Sequence, residues 1–256
     1  MSTHVGYIIV AVASLILLLL VYITSTIKMG RDTEFRELRV SCSNAILLSD
    51  IHCPRGHCPL GGEIAEIVQE EEVECVFVLG DLFENFHIEA EESEVISAVQ
   101  SVLKPILRKV KTLVYITSSS SHDPIVKGAI QSTIDNTTII VSPTPLKVRV
   151  GNITLYLTHG DIAVTNGAVA FVINKVYALL RNEDLHLEKE LKTRMNIPSE
   201  SWLIMGHTHM PGIDYTHKVA NAGSWKTSWK WGIQYWKPSS RTYILIKNDK
   251  VELRKK

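Results

Sequence analysis

Five short stretches place aspartate and histidine where they can act together: Ser49-Asp50-Ile51-His52, Gly80-Asp81, Ser121-His122-Asp123, His159-Gly160-Asp161 and Gly206-His207-Thr208-His209. Each follows an apolar run: Ala45 to Leu48, Cys75 to Leu79, Thr112 to Ile116, Ile153 to Leu157 and Trp202 to Met205. Such runs read as buried strands, and the loop beyond a buried strand is where open α/β sheets bind ligands. A single carboxylate or imidazole there is an ordinary polar strand terminus. Five in series predict one composite site along a sheet rim. Imidazole and carboxylate suit first-row divalent metals, and a carboxylate with two oxygens can bridge a pair of them. Two metals about 3.5–4 Å apart can clamp the attacking and leaving oxygens of an in-line displacement at phosphorus and generate hydroxide at neutral pH.

The order of these stretches resembles the Asp-x-His, Gly-Asp, Asn-His, His and Gly-His-x-His series of the calcineurin-like metallophosphoesterases, over roughly Asn44 to Trp225. The resemblance implies that Asp50, His52 and His209 hold a first metal, that His159 and His207 hold a second, and that Asp81 bridges them. It implies that His122 contacts the phosphate and protonates the leaving oxygen. Asn221-Ala222-Gly223-Ser224-Trp225 is similar to the Asn-x-Gly-Ser segment that follows the last ligands in that family. The implied fold is α/β, a two-sheet β-sandwich flanked by helices (αββα), and the implied cofactors are two divalent ions, manganese, iron or zinc.

One position departs from the pattern. Where the family has Gly-Asn-His-Asp, this chain reads Ser120-Ser121-His122-Asp123. Ser121 falls where an asparagine carbonyl oxygen binds the second metal, and a serine hydroxyl is a shorter, poorer ligand. A weakened second site is the expectation, with water or a polar group such as Asn85 filling in. Asp123 either orients the His122 imidazole or faces the backbone. Gly80-Asp81-Leu82-Phe83-Glu84 is similar to the branch of the family that splits the pyrophosphate of lipid-linked nucleotide sugars, although that branch carries arginine where this chain has His122.

The expected activity is metal-dependent hydrolysis of a phosphate ester or pyrophosphate on a small molecule or a lipid-linked substrate. Two alternatives stand beside it. A binding module that keeps the fold without catalysis would also be expected to have lost imidazoles, and this chain keeps them. A nuclease needs a basic face, but 27 Lys and Arg are balanced by 27 Asp and Glu, so no nucleic-acid partner is expected.

The elements that must position these residues follow from periodicity. Strands and helices alternate from Ala45: a helix over Glu63 to Glu71, a longer one over Glu91 to Val110 that Pro105 kinks or splits, then a strand-rich half with Val150-Gly151-Asn152 as a hairpin turn. Gly30 to Ser43 reads as a polar linker or a short first strand, and Val251 to Lys256 as a basic end. Gly167 to Leu180 is strongly apolar. It is either a cap over the site that holds an acyl or isoprenoid chain, or an outer helix packed on the sheet; the outer helix is the expectation. Trp225, Trp229, Trp231 and Trp236, interleaved with lysines, either fill the second sheet or meet a membrane interface, the first being the expectation.

The chain's 256 residues divide into an anchor over 1–27, a linker over 28–43 and one phosphoesterase domain over 44–256. Val5 to Ile27 carries no charge and, as a helix, is about 34 Å long, enough to span a hydrocarbon core of about 30 Å. It predicts a single-pass, uncleaved transmembrane anchor, since no basic start precedes it. Lys28, Arg31, Arg36 and Arg39 follow it, which puts the domain on the cytoplasmic side. The triplets at Asn136 and Asn152 match glycosylation acceptors but arise often by chance. Cys75 is expected as a small buried hydrophobe, and Cys53 and Cys58 as two free thiols, with a disulfide or metal site as the alternatives.

Overall fold

The computed structural model describes residues 2–30, 33–227 and 239–256, with side chains from Val12 onward except that of Ile16. Two sheets stack face to face. The first has seven strands: β2 (Ala45–Leu48), β3 (Cys75–Leu79), β4 (Thr112–Ile116), β5 (Ile130–Ile134), β6 (Thr137–Ser142), β12 (Thr242–Lys247) and β13 (Lys250–Lys255), in the order β13-β12-β2-β3-β4-β6-β5. The second has six: β1 (Arg36–Leu38), β7 (Leu146–Val150), β8 (Ile153–Leu157), β9 (Trp202–Met205), β10 (Gly212–Asp214) and β11 (Val219–Asn221), in the order β1-β7-β8-β9-β11-β10. Helices α2 (Gly61–Glu70) and α3 (Glu92–Leu103) belong to the chain of the first sheet, and α4 (Gly167–Arg181) and α5 (His186–Arg194) to that of the second. This is the expected αββα sandwich.

Strand alternation builds the layers. Ala45, Leu47, Cys75, Phe77 and Leu79 meet Leu146, Val148, Leu155, Leu157 and Ile204 between the sheets. Their alternates Ile46, Leu48, Val76 and Val78 pack with Ile64, Ile67, Val95 and Val99 of α2 and α3. Leu203 and Met205 turn outward to Leu185 and Leu191 of the α5 side. Because both faces of β2, β3 and β9 are covered, these strands are apolar throughout.

β2, β3 and β4 run parallel in one sheet, and β8 and β9 run parallel in the other. All five chemistry-bearing stretches therefore leave the carboxyl ends of neighbouring strands. That arrangement is what the sequence predicts.

Several expectations need correction. The helix from Glu92 ends at Leu103, short of Val110: Lys104 keeps helical dihedrals (φ −45°, ψ −40°), but Pro105 has no N–H to carry the hydrogen-bond ladder on. Lys250–Lys255 is a full edge strand paired with β12 and not merely a basic end. The four cysteines are not free: Cys42 is bonded to Cys75 and Cys53 to Cys58, with Cα atoms 6.1 and 4.8 Å apart. Cys75 is nonetheless fully buried.

The apolar segment at 167–180 is a helix, but it does not pack its apolar face on a sheet. Only Ala170 and Asn174 are buried, against α5, while Leu179 and Leu180 are 73% and 79% exposed. Ser2–Thr26 forms a 25-residue helix, α1. Among the described residues no helix is long and apolar enough to cross a membrane, so the expected transmembrane span draws no support from the structure. The last turn of α1 docks on the domain, with Thr165 N donating to the Thr26 carbonyl at 2.8 Å. Of the tryptophan cluster, Trp229, Trp231 and Trp236 lie outside the described residues. Trp225 is fully buried and donates Nε1–H to the Thr242 carbonyl at 2.9 Å.

Candidate metal centre

At the rim the backbone turns sharply. Asp50, His52, Asp81, His207 and His209 all adopt left-handed φ, between 49° and 65°. Non-glycine residues pay for that conformation, and it persists where surrounding structure enforces it, commonly at functional sites. Two glycines make room for the turns. At Gly206 an added Cβ would lie 1.8 Å from Ser49 Oγ and 2.6 Å from Asp50 Oδ2. At Gly80, with φ +75°, it would lie 2.5 Å from the His159 ring.

The six expected ligands come together, almost wholly buried. Ligand atoms of Asp50, His52 and His209 lie within 4.8 Å of one another, as do those of Asp50, Asp81 and His159, and those of His52, Asp81 and His122. Asp81 sits between two imidazoles, its Oδ2 3.7 Å from His52 Nε2 and its Oδ1 3.6 Å from His159 Nε2. A bridging carboxylate must face two centres in this way. Asp50 Oδ2 accepts the His207 backbone N–H at 2.9 Å and lies 2.6 Å from the Ser49 hydroxyl, leaving Oδ1 turned toward His209 Nε2 at 2.8 Å.

Three of the imidazoles are fixed through their far nitrogens. His159 Nδ1 pairs with the Leu79 carbonyl at 2.9 Å, and His207 Nε2 with that of Val164 at 2.7 Å. His52 Nδ1 faces the Glu84 carboxylate at 3.3 Å, and Lys226 Nζ holds the same carboxylate at 3.0 Å. Such outer partners set the tautomer and aim the other nitrogen at the metal. The aimed nitrogen of His52, Nε2, is buried without a hydrogen-bond partner. A buried polar atom left unpaired is costly, and a cation at this point would pair it. The donor set fits divalent ions on that observation.

The charges are strongly coupled. Burial pushes the Asp81 carboxyl up, but the imidazoles of His159 and His52 outweigh it and hold the group well below the carboxylate range. Asp50 is likewise depressed, burial being offset by His209 and His159. Burial lowers His159, yet the carboxylates of Asp81, Asp50 and Asp161 carry it up to about 9. Burial and the His159 charge push His207 down to about 4. The two depressed carboxylates, Asp50 and Asp81, thus lie against a His159 ring whose pKa they hold up.

Around the ligands, the serine run behaves differently from its sequence reading. Ser121 is exposed and lines the cleft over the site, a space of about 270 Å³. The hydroxyls that reach the bridging position belong to Ser118 and Ser120, each donating to Asp81 Oδ1 at 2.6 Å. Asn85 is exposed. His122 also lines the cleft, with Nδ1 on the Glu84 carbonyl at 2.7 Å, so that Nε2 is the nitrogen left for a substrate. Asp123 faces the backbone, accepting from the N–H groups of Asp81 at 2.7 Å and Ser118 at 2.8 Å. Burial, with the Asp81 charge, raises its carboxyl to about 6. It clamps the β3 and β4 loops together rather than orienting His122.

Glu84, Lys226, Ser49 and Ser118 complete the centre and were not singled out as site residues from sequence. Glu84 stands three residues past Asp81, and Lys226 one past the Gly-Ser-Trp segment, but neither has a partner legible in its own neighbourhood.

The model of the "Calcineurin-like phosphoesterase superfamily domain" matches residues 44–235. The chain belongs to that superfamily. Among solved structures this calcineurin-like phosphoesterase domain is similar to YfcE, a phosphoesterase from E. coli, at 19% identity over 80% of this chain and 89% of that one, with a TM-score of 0.37. It is similar too to Vps29 from Entamoeba histolytica: a double mutant at 12% identity, covering 82% and 97% of the two chains with a TM-score of 0.39, and the wild type complexed with zinc, at the same identity and coverage with a TM-score of 0.36. No curated protein matches the chain.

Proposed function

We propose that this chain is a metal-dependent phosphohydrolase, tethered to a membrane by its N-terminal helix, that cleaves a phosphate ester or pyrophosphate. The observation that carries the reading is Asp81, whose two carboxylate oxygens face His52 on one side and His159 on the other. Divalent ions held by Asp50, His52, Asp81, His159, His207 and His209 would supply positive charge for the phosphoryl oxygens and make water a nucleophile near neutral pH. The protein's own part is preorganisation. Glu84 and the Leu79 and Val164 carbonyls lock three imidazoles in place, so little reorganisation is needed when charge develops. His122 presents Nε2 to the cleft, where it can give a proton to the departing oxygen. The first turn of α4 forms another wall, through Thr165, Asn166, Gly167 and Ala168, and a helix N-terminus favours anions.

Membrane tethering rests on the charge-free run of Val5 to Ile27. Manganese, iron or zinc would each suit the donor set. The expected substrates are phosphorylated small molecules or lipid-linked phosphates.

To test the activity, the full-length protein is stripped with chelator, reloaded with manganese, and given aryl phosphate mono- and diesters, an aryl pyrophosphate and a DNA duplex. Metal-dependent turnover of a small ester or pyrophosphate, reduced about 10²–10⁴-fold in His122→Asn, is expected. Cleavage of DNA alone would make the protein a nuclease. Metal binding without turnover of any of them would leave a binding module.

A further inference from the structure

Helix α4 carries an apolar stripe that the described fold leaves uncovered. Val172, Val176, Leu179 and Leu180 are 48%, 43%, 73% and 79% exposed. Their spacing of four, three and one places them on one helix face, and the opposite side holds buried Ala170 and Asn174. Such a face on a helix of 15 residues runs about 22 Å. Contiguous exposed apolar patches mark interaction surfaces.

A second apolar surface adjoins it. Helix α1 exposes Leu15, Leu17, Leu18, Leu19, Leu20 and Val21, and its end meets the start of α4. Asn166, the N-cap of α4, donates Nδ2–H to the Tyr22 hydroxyl at 2.9 Å. Lys175 stands exposed beside this stripe on α4, and exposed Lys28 lies two residues past the end of α1. Cations around an apolar helix face are the composition that suits the headgroup layer of an anionic bilayer, the charged ends reaching phosphate while their stems stay apolar. A second copy fits less well. Four side chains on one helix fall short of the roughly 800 Å² per partner that a standard protein interface buries.

We propose that the outer face of α4 rests in the headgroup layer of an anionic lipid bilayer beside α1. The cleft over the histidine and aspartate cluster, walled by the first turn of that same helix, then opens close to the membrane surface. This rests on the reading of α1 as a membrane anchor. It adds a second, separate contact that orients the domain.

The test uses the full-length chain. Its four native cysteines are paired, so an added cysteine takes a thiol-reactive, environment-sensitive fluorophore. Leu180→Cys and, as a control, Lys250→Cys on the exposed edge strand are labelled and mixed with vesicles of phosphatidylcholine and phosphatidylglycerol containing doxyl-labelled lipid. Docking predicts a blue shift and at least twofold quenching at position 180, none at 250, and loss of the effect at 180 when phosphatidylglycerol is omitted. If the chain sediments with vesicles but the label at 180 stays as water-exposed as that at 250, docking is wrong while anchoring stands. If the chain does not sediment with vesicles at all, anchoring and docking fail together. A label at 180 already shielded before vesicles are added means that protein covers the face, which also overturns the proposal.

Discussion

Nε2 of His159 and Nδ1 of His207 lie 2.9 Å apart, while the other nitrogen of each ring sits on a backbone carbonyl. If both far nitrogens donate, two neutral rings would point lone pairs at each other. The contact therefore needs a positive charge, either a proton or a metal ion. In the metal-free protein the proton sits on His159, raised to about 9, and His207, lowered to about 4, accepts it.

Metal binding should therefore expel a proton, since both rings must be neutral to ligate. Calorimetry at pH 7.5 in buffers of different ionisation enthalpy is expected to show about one proton released on manganese binding. His159→Asn should release none. The sign for stability follows from the same shift. A raised imidazole stabilises the metal-free fold fully below its unfolded value of 6.5, and that contribution is lost as pH rises through about 9. Melting temperature without metal should fall across that interval, and His159→Asn should flatten the fall.

Glu84 is predicted to act through His52. Glu84→Gln removes the charge that faces His52 Nδ1 and the carboxylate that Lys226 Nζ holds. Metal affinity should weaken about 10–100-fold, the usual cost of an outer-shell partner, with far-ultraviolet circular dichroism unchanged. An unchanged affinity would show that Glu84 serves only the ion pair with Lys226.

Gly206 leaves no space for a side chain. Gly206→Ala sets a Cβ 1.8 Å from Ser49 Oγ and 2.6 Å from Asp50 Oδ2, so β2 and the Gly-His-Thr-His turn must separate. Loss of metal binding is expected together with a destabilisation of about 1–3 kcal/mol, as for overpacking elsewhere, read by urea unfolding.

For the membrane anchor proposed above, the two disulfides bear on which side carries the domain. Bonded cysteines are characteristic of oxidising compartments, whereas the basic residues after α1 point the domain to the cytoplasm. Cys42 and Cys75 close a loop of 33 residues, and such a crosslink stabilises by about 4 kcal/mol in the chain-entropy model. Alkylation of the protein in intact cells is expected to find all four cysteines blocked and the domain open to external protease. Free thiols on a protease-protected domain would restore the orientation given by the basic flank.

How much of this was legible in the sequence differs by element. The rim residues were, because Asp50, Asp81, His159 and His207 each follow a strand whose apolar run is continuous, and parallel strands must end on the same side. Their roles as ligands came with the family likeness. What the sequence hid depends on distance in space. Glu84 and Lys226 meet across 142 positions, and nothing local signals it. Ser118 and Ser120 rather than Ser121 reach Asp81 because of the loop's curvature, which residue type does not fix. The cysteine pairing depends on β3 lying under the strand-free segment at Cys42. The face of α4 misled because its leucines look like core, and only the packing shows that Ala170 and Asn174 point inward instead.

The most direct measurement is a count of metal against activity in the full-length protein and in Asp81→Asn. After chelation and equilibrium dialysis against manganese, the account predicts two ions bound per wild-type chain and metal-dependent hydrolysis of an aryl phosphate. It predicts at most one ion and no detectable turnover in the variant. A wild-type chain that binds no metal, or an Asp81→Asn chain that keeps both ions and full activity, would contradict it.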